Sequence, residues 1–155
     1  MGGRLWLLGM AGMLLYAAVS YGRLRRRTRI SIRREDHVYA CDGIATPFIL
    51  GLFRPRIYLP SIMEQEQLAP VLAHERAHLR RRDHWWKPLG FLVLALYWFH
   101  PLVWLGYFLF CRDIELACDE AVITGMDAAG KKAYSQALLS FGMRQGKMAA
   151  CPLAF

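Results

Sequence analysis

His74-Glu75-Arg76-Ala77-His78-Leu79-Arg80-Arg81-Arg82-Asp83-His84-Trp85-Trp86 opens with two imidazoles four residues apart. Neither proline nor glycine interrupts Val71 to Arg82, so the spacing predicts a helix. On a helix His74 and His78 project from one face, a turn apart, where one metal ion reaches both. Glu75 points about 100° around the axis, beside that ion, where a carboxylate can take a proton from an attacking water. The competing reading is a helix that merely contains histidines. With 5 His and 6 Glu in the chain, chance places the pentapeptide in well under about one such chain in a hundred, which favours the metal.

A catalytic zinc takes three protein ligands and keeps one position open, so a third donor must come from elsewhere. In Asp113-Ile114-Glu115-Leu116-Ala117-Cys118-Asp119, Glu115 and Asp119 repeat the four-residue spacing. Glu115 is the candidate third ligand, and Asp119 the acceptor for the second ring N–H of a ligand histidine. Such acid pairs are also common on solvated helix faces, and His74 to His78 supplies the weight here. Cys118 is close enough to consider as a ligand, but Glu115 has the better spacing. His84 lies one and a half turns beyond His78 and is expected to face away from the metal, toward an interface. His100, in Phe99-His100-Pro101, marks a turn. Together with Arg112 it is a candidate for stabilising charge in a transition state. His37 has no evident partner.

The chain is 55% apolar and 13% aromatic and carries a formal charge of +8 over 155 residues, so grease and charge must be segregated. Leu5 to Tyr21 is uncharged and about long enough to cross a membrane, and Arg23 to Arg34 follows with seven arginines. Basic residues beside a span gather on the cytoplasmic side, which predicts residues 1–28 as a transmembrane helix with its basic flank, the N-terminus outside and residues 29–155 on the cytoplasmic face of the cell membrane. Direct nucleic-acid binding is not expected, because no binding motif accompanies the charge. A cleaved signal peptide is the rival reading, with its charge on the wrong side. Four cysteines without a paired spacing fit a reducing compartment.

Residues 29–60 read as a small β-ribbon, with Arg29 to Ile32, Pro47 to Gly51 and Arg56 to Leu59 as extended pieces around a turn at Phe53 to Pro55. Pro47, Pro55 and Pro60 favour edge positions. An exposed edge either accepts an extended peptide as an added strand or is a purely structural hairpin. Residues 61–84 form the helix of the two histidines, with Ser61 and Glu64 as a capping box. Pro70 either kinks it or sits in the first turn of a new helix.

Pro88 to Phe110 is 23 uncharged residues and long enough to span a bilayer. One crossing would put His78 and Glu115 on opposite sides, about 30 Å apart, where they could not share an ion. Pro101 breaks the stretch, so two short apolar helices in a hairpin are expected. The hairpin either packs in the domain, dips into the membrane or lies on it, with Trp85, Trp86, Trp98 and Trp104 at an interface. A helix at 111–124 then carries Glu115 and Asp119. A polar turn at Gly125 to Gly130 leads into an amphipathic helix at 131–144, and no compact element is expected after Cys151. The fold class is mainly α with a small β-ribbon, α+β.

Thr46-Pro47-Phe48, Gly51-Leu52-Phe53-Arg54-Pro55 and Ile57-Tyr58-Leu59-Pro60, followed by HERAHLRRRDHWW, WFHPLVW and ELACDEAV, together resemble the BlaR/MecR family of membrane zinc peptidases. The resemblance covers most of the chain after residue 46. It implies a zincin-like domain of gluzincin type on the cytoplasmic side, Zn²⁺ on His74, His78 and Glu115, Glu75 as general base, and Asp119 supporting a ligand. Members that sense β-lactams carry further spans and an extracellular sensor domain, and relay antibiotic binding into proteolysis that relieves a repressor. This chain shows a single N-terminal span and no S-x-x-K signature, so direct antibiotic sensing is not expected; a sensor partner or a missing C-terminal part could supply it. The expected activity is zinc endopeptidase action on a protein substrate, a transcriptional repressor or the chain itself, at a lipid surface. The alternatives are a non-catalytic membrane signalling module with a structural zinc site, and a housekeeping membrane protease.

Overall fold

The computed structural model describes residues 2–63 and 65–144. It is mostly helical, with one small mixed sheet and one N-terminal apolar helix. That helix, α1 (Gly2–Arg27), has no buried residue. Its 26 residues extend about 39 Å, more than the ~30 Å of a hydrocarbon core. Arg25, Arg26 and Arg27 occupy its last turn, where cations complement the helix dipole.

Four strands follow: β1 (Ser31–Glu35), β2 (Val38–Cys41), β3 (Phe48–Leu50) and β4 (Arg56–Pro60), in the order β1-β2-β4-β3. The outer pairs are antiparallel and the central β2–β4 pair is parallel. The expected ribbon is thus a mixed sheet, and β2 is the strand the sequence hid. Three of its four residues are buried, so it lacks the alternation that betrays a half-exposed strand. His37, with φ 64°, makes the tight turn from β1 to β2. Pro60 corrects the expectation that all three prolines sit on edges: it closes the inner strand β4, paired with Cys41. At the last position of a strand its missing N–H interrupts little of the ladder.

One face of the sheet buries Val38, Ile49, Ile57 and Leu59 against Val71 of α2 (Gln65–Arg81). Pro70 lies inside this single helix; Glu64 of the expected capping box lies outside the described residues. The helix stops three residues earlier than expected. Arg82 takes a left-handed conformation, φ 60° and ψ 34°, which ends the α-helical ladder, and α3 (Asp83–Leu96) starts at once in a new direction.

After the turn at Tyr97 to His100 comes α4 (Pro101–Ile123), with Pro101 in the first turn, where its missing N–H costs nothing. The hairpin is present, but its second arm is not a short apolar helix: residues 101–110 run on into the expected helix 111–124 as one helix of 23 residues, because nothing between Phe110 and Ile123 breaks it. α5 (Ala128–Arg144) begins three residues before the expected 131. Asp127 Oδ1 accepts from the Gly130 amide at 2.8 Å and so caps the helix. The tail after Cys151 lies outside the described residues.

α1 runs beside the hairpin. Trp6 Nε1 donates to the Leu96 carbonyl at 2.8 Å, and Trp98 Nε1 to the Trp6 carbonyl at 3.2 Å. Gly9 permits this approach, since a Cβ there would stand 2.1 Å from the Trp98 ring. Met13 and Ala17 cover the cluster of Phe91, Leu94, Ala95, Tyr107 and Cys111. At its other end α1 brings Tyr21 and Leu24 onto the second face of the sheet, against Cys41, Phe48 and Tyr58.

Candidate metal centre

One turn of α2 separates His74 from His78, and their Nε2 atoms lie 3.2 Å apart. Glu115, reaching in from α4, places Oε2 3.4 Å from each. The hairpin therefore returns α4 to α2 and brings together groups up to 41 positions apart in the chain. The second nitrogen of each ring is held from behind. His74 Nδ1 is 3.0 Å from Asp119 Oδ1, which also accepts from the Tyr134 hydroxyl at 3.0 Å. His78 Nδ1 is 2.8 Å from Asp83 Oδ2.

A carboxylate accepts and does not donate, so in their neutral form both imidazoles carry their hydrogen on Nδ1 and turn a lone pair inward from Nε2, whereas a proton added at Nε2 points to Glu115. Two lone pairs and a carboxylate oxygen facing one point call for a cation. Donors ~2.0–2.1 Å from a tetrahedral zinc are about 3.3–3.4 Å from one another, and the three distances here match that edge. The residues present therefore fit a zinc ion with one position left open.

The electrostatics describe the same need. Burial by itself would pull His74 down, but the Glu115 hydrogen bond and the carboxylates of Glu75, Glu115 and Asp119 outweigh it and hold the ring above its ordinary value. Burial would likewise raise Glu115. The hydrogen bonds from His74 and His78, with the Lys87 ammonium, keep it well below the usual carboxylate range instead. Lys87 Nζ donates to Glu115 Oε1 at 2.9 Å. Glu75 is buried, and burial pushes its carboxyl upward against the pull of His78 and His74.

A cavity of about 130 Å³ opens in front of these groups, lined by His74, Glu75, His78, Glu115, Lys87 and His84 on one side and by Pro47, Phe48 and Ile49 of the β3 edge on the other. His84 thus corrects the expectation that it faces away. That projection assumed a straight helix through residue 84, and the turn at Arg82 redirects everything after it. The two candidates for charge stabilisation are not brought to the site. His100 is exposed at the start of α4, at the far end of the hairpin, and Arg112 is exposed beside Asp113 at 3.7 Å; neither lines the cavity.

Asp83, Lys87 and Tyr134 are the residues the sequence did not offer. Asp83 was masked by the same helix break, and Tyr134 lies on another helix with no local signal. Cys118 is fully buried and donates to Asp83 Oδ2 at 3.1 Å. Burial, with Asp83 beside it, pushes the thiol upward. His78, Asp83 and Cys118 thus form a buried hydrogen-bonded group behind the converging donors.

The sequence profile of the family described as BlaR1 peptidase M56 matches residues 3–154. The chain belongs to the BlaR1 peptidase M56 family. Among curated relatives it is 28% identical over 159 residues to the regulatory protein BlaR1 of Bacillus licheniformis, an alignment covering 88% of this chain and 26% of that protein. It is 23% identical over 102 residues to the methicillin resistance mecR1 proteins of Staphylococcus aureus and Staphylococcus epidermidis, covering 63% of this chain and 17% of theirs. This M56 chain therefore spans about a quarter of the length of such relatives, or less.

Proposed function

We propose that the chain is a membrane-bound zinc endopeptidase with a zincin-like site, in which His74, His78 and Glu115 hold Zn²⁺ and Glu75 is the general base. The observation that carries this is the convergence of His74 Nε2, His78 Nε2 and Glu115 Oε2 within 3.4 Å of one another, beside a buried glutamate in an open cavity. Zinc bound there supplies Lewis acidity toward the scissile carbonyl and acidifies water.

Glu75 takes the proton of the attacking water and passes it to the leaving amine. Asp119 and Asp83 keep the two rings in the tautomer that presents Nε2. A substrate segment enters extended and adds to β3, an outer strand of the sheet whose residues line the cavity. A structural zinc site would close its coordination with four protein ligands. Three donors facing a cavity favour catalysis.

In this reading α1 spans the membrane with the N-terminus outside, and Arg23 to Arg34 mark the cytoplasmic face, where the peptidase domain sits. The hairpin is buried in lipid beside α1. Its apolar outer face supports this, with Leu89, Leu92, Leu96, Leu102 and Leu105 between 50% and 67% exposed except Leu96 at 40%. Trp85 and Trp86 at one end and Trp98 and Trp104 at the other suit the two polar boundaries of the lipid it enters. The relatives are named for regulation and resistance, which supports cleavage of a regulatory protein, a repressor or the chain itself, as its purpose.

The test is zinc content and proteolysis by the full chain in lipid nanodiscs, with casein as a general substrate and self-cleavage followed in parallel. One zinc per chain with cleavage lost on chelation is expected. A preparation that binds no zinc would refute the reading.

A further inference from the structure

The mechanism above lacks a protein donor for the charge that builds on the carbonyl oxygen of the bond being broken, and both sequence candidates lie elsewhere. One group in the cavity has no assigned task. His84 Nδ1 is, among the described residues, the single buried side-chain nitrogen or oxygen without a hydrogen-bond partner. No acceptor faces Nδ1, so the neutral imidazole is assigned its hydrogen on Nε2. Burial also pulls the ring below its ordinary value, against the opposing influence of Asp83, which favours the neutral form. The ring is only partly buried. With Nδ1 enclosed, its accessible edge is the one that bears Nε2–H.

That edge is placed where a substrate would pass. His84 lines the cavity of the metal centre and also a second cavity of about 450 Å³, walled by Ala17 and Tyr21 of α1, Ile49, Leu52 and Pro88. Ile49 and His84 are common to both, so the two cavities adjoin across the imidazole. A peptide laid along β3 from one to the other runs over it. Resting on the zinc-peptidase reading, we propose that His84 is a catalytic residue whose Nε2–H donates to the scissile carbonyl oxygen as it gains negative charge.

Preorganised donors of this kind contribute on the order of 10²–10³ in kcat. The test compares His84→Ala, His84→Gln and His84→Asn in the full chain in nanodiscs. The side-chain amide of Gln reaches the position of Nε2, whereas that of Asn reaches only Nδ1. Expected are unchanged zinc stoichiometry in all three, a fall in kcat of roughly 10²–10³ for Ala and Asn with KM moved little, and at least partial recovery for Gln.

A readout independent of turnover is the affinity of a phosphonate peptide, whose tetrahedral anion mimics the charged oxygen. It should weaken at least about tenfold in His84→Ala and recover in His84→Gln. Equal phosphonate affinity in all forms, or a loss in KM alone, overturns the role of His84. A native chain that holds no zinc and cleaves nothing removes the peptidase reading instead, which is a different result.

Discussion

Lys87 Nζ holds Glu115 Oε1 at 2.9 Å, which leaves Oε2 as the oxygen that stands 3.4 Å from Nε2 of both His74 and His78. The ammonium therefore orients the third donor and takes up its unused oxygen. Replacing it by an uncharged side chain of similar length, Lys87→Met, frees the carboxylate to rotate. Zinc affinity is expected to fall about tenfold, at the lower end of what supporting groups contribute. Competition with a chromogenic chelator measures it, and unaltered affinity would make the contact incidental.

Glu75 faces the cavity without being one of the three converging donors. Glu75→Gln keeps the size and burial of the side chain but cannot accept the proton. Zinc stoichiometry should stay at the native value, while cleavage falls by roughly 10²–10⁴. Metal loss in this variant would reassign Glu75 from base to ligand.

Asp83 accepts from both His78 and Cys118 and is 2% exposed. Asp83→Ala strands two buried polar groups. We expect zinc affinity to drop about 10–100-fold and the metal-free chain to lose about 1–3 kcal/mol. Cys118→Ala removes only the thiol donor and should leave zinc affinity within about threefold of native, well below that effect. If the two variants behave alike in a zinc titration, the His78 orientation does not depend on Asp83.

His74 binds its proton more tightly than a free imidazole, because the Glu115 hydrogen bond and three nearby carboxylates outweigh burial. An incoming metal ion must displace that proton. Apparent zinc affinity should therefore rise with pH up to the raised value of His74 and level off above it, falling about tenfold per unit below for one proton. The linkage to folding has the opposite sense. With the folded value above the unfolded 6.5, the metal-free chain holds this stabilisation in full below that pH and loses it as pH rises through the folded value. Zinc titrations and thermal melts between about pH 6 and 8 read both trends, and affinity flat across that range would contradict the first.

Gly9 lies under the Trp98 ring, with no room for a Cβ. Gly9→Val should push Trp98 off α1 and break its hydrogen bond to the Trp6 carbonyl, costing about 1–3 kcal/mol. Thermal unfolding in nanodiscs measures the loss. Gly12, whose Cβ would meet nothing within 4 Å, provides the control.

Much of the centre was legible because its chemistry is periodic: His74, His78, Glu115 and Asp119 all stand at helical spacing, and no single span between them allows a shared ion. The hairpin followed from that constraint. Asp83 and His84 were not legible, since the left-handed Arg82 gives no sign in a run of three arginines, and one backbone reversal changes the facing of every later residue. Strand β2 failed for a related reason: residues buried on both faces show no period. Lys87 and Tyr134 reach the site through tertiary packing alone.

The hairpin also fixes where work can be done. Asp83 and Lys87 begin one arm and Glu115 and Asp119 end the other, so the donors gather at its open end while the Trp98 to Pro101 apex lies about 20 Å away along α3. In the proposed membrane reading, where those arms sink in lipid, the metal centre is moored at one constant height over the bilayer. A polypeptide is then sorted first by whether a stretch of it can be drawn down to that plane, before any side chain has been read.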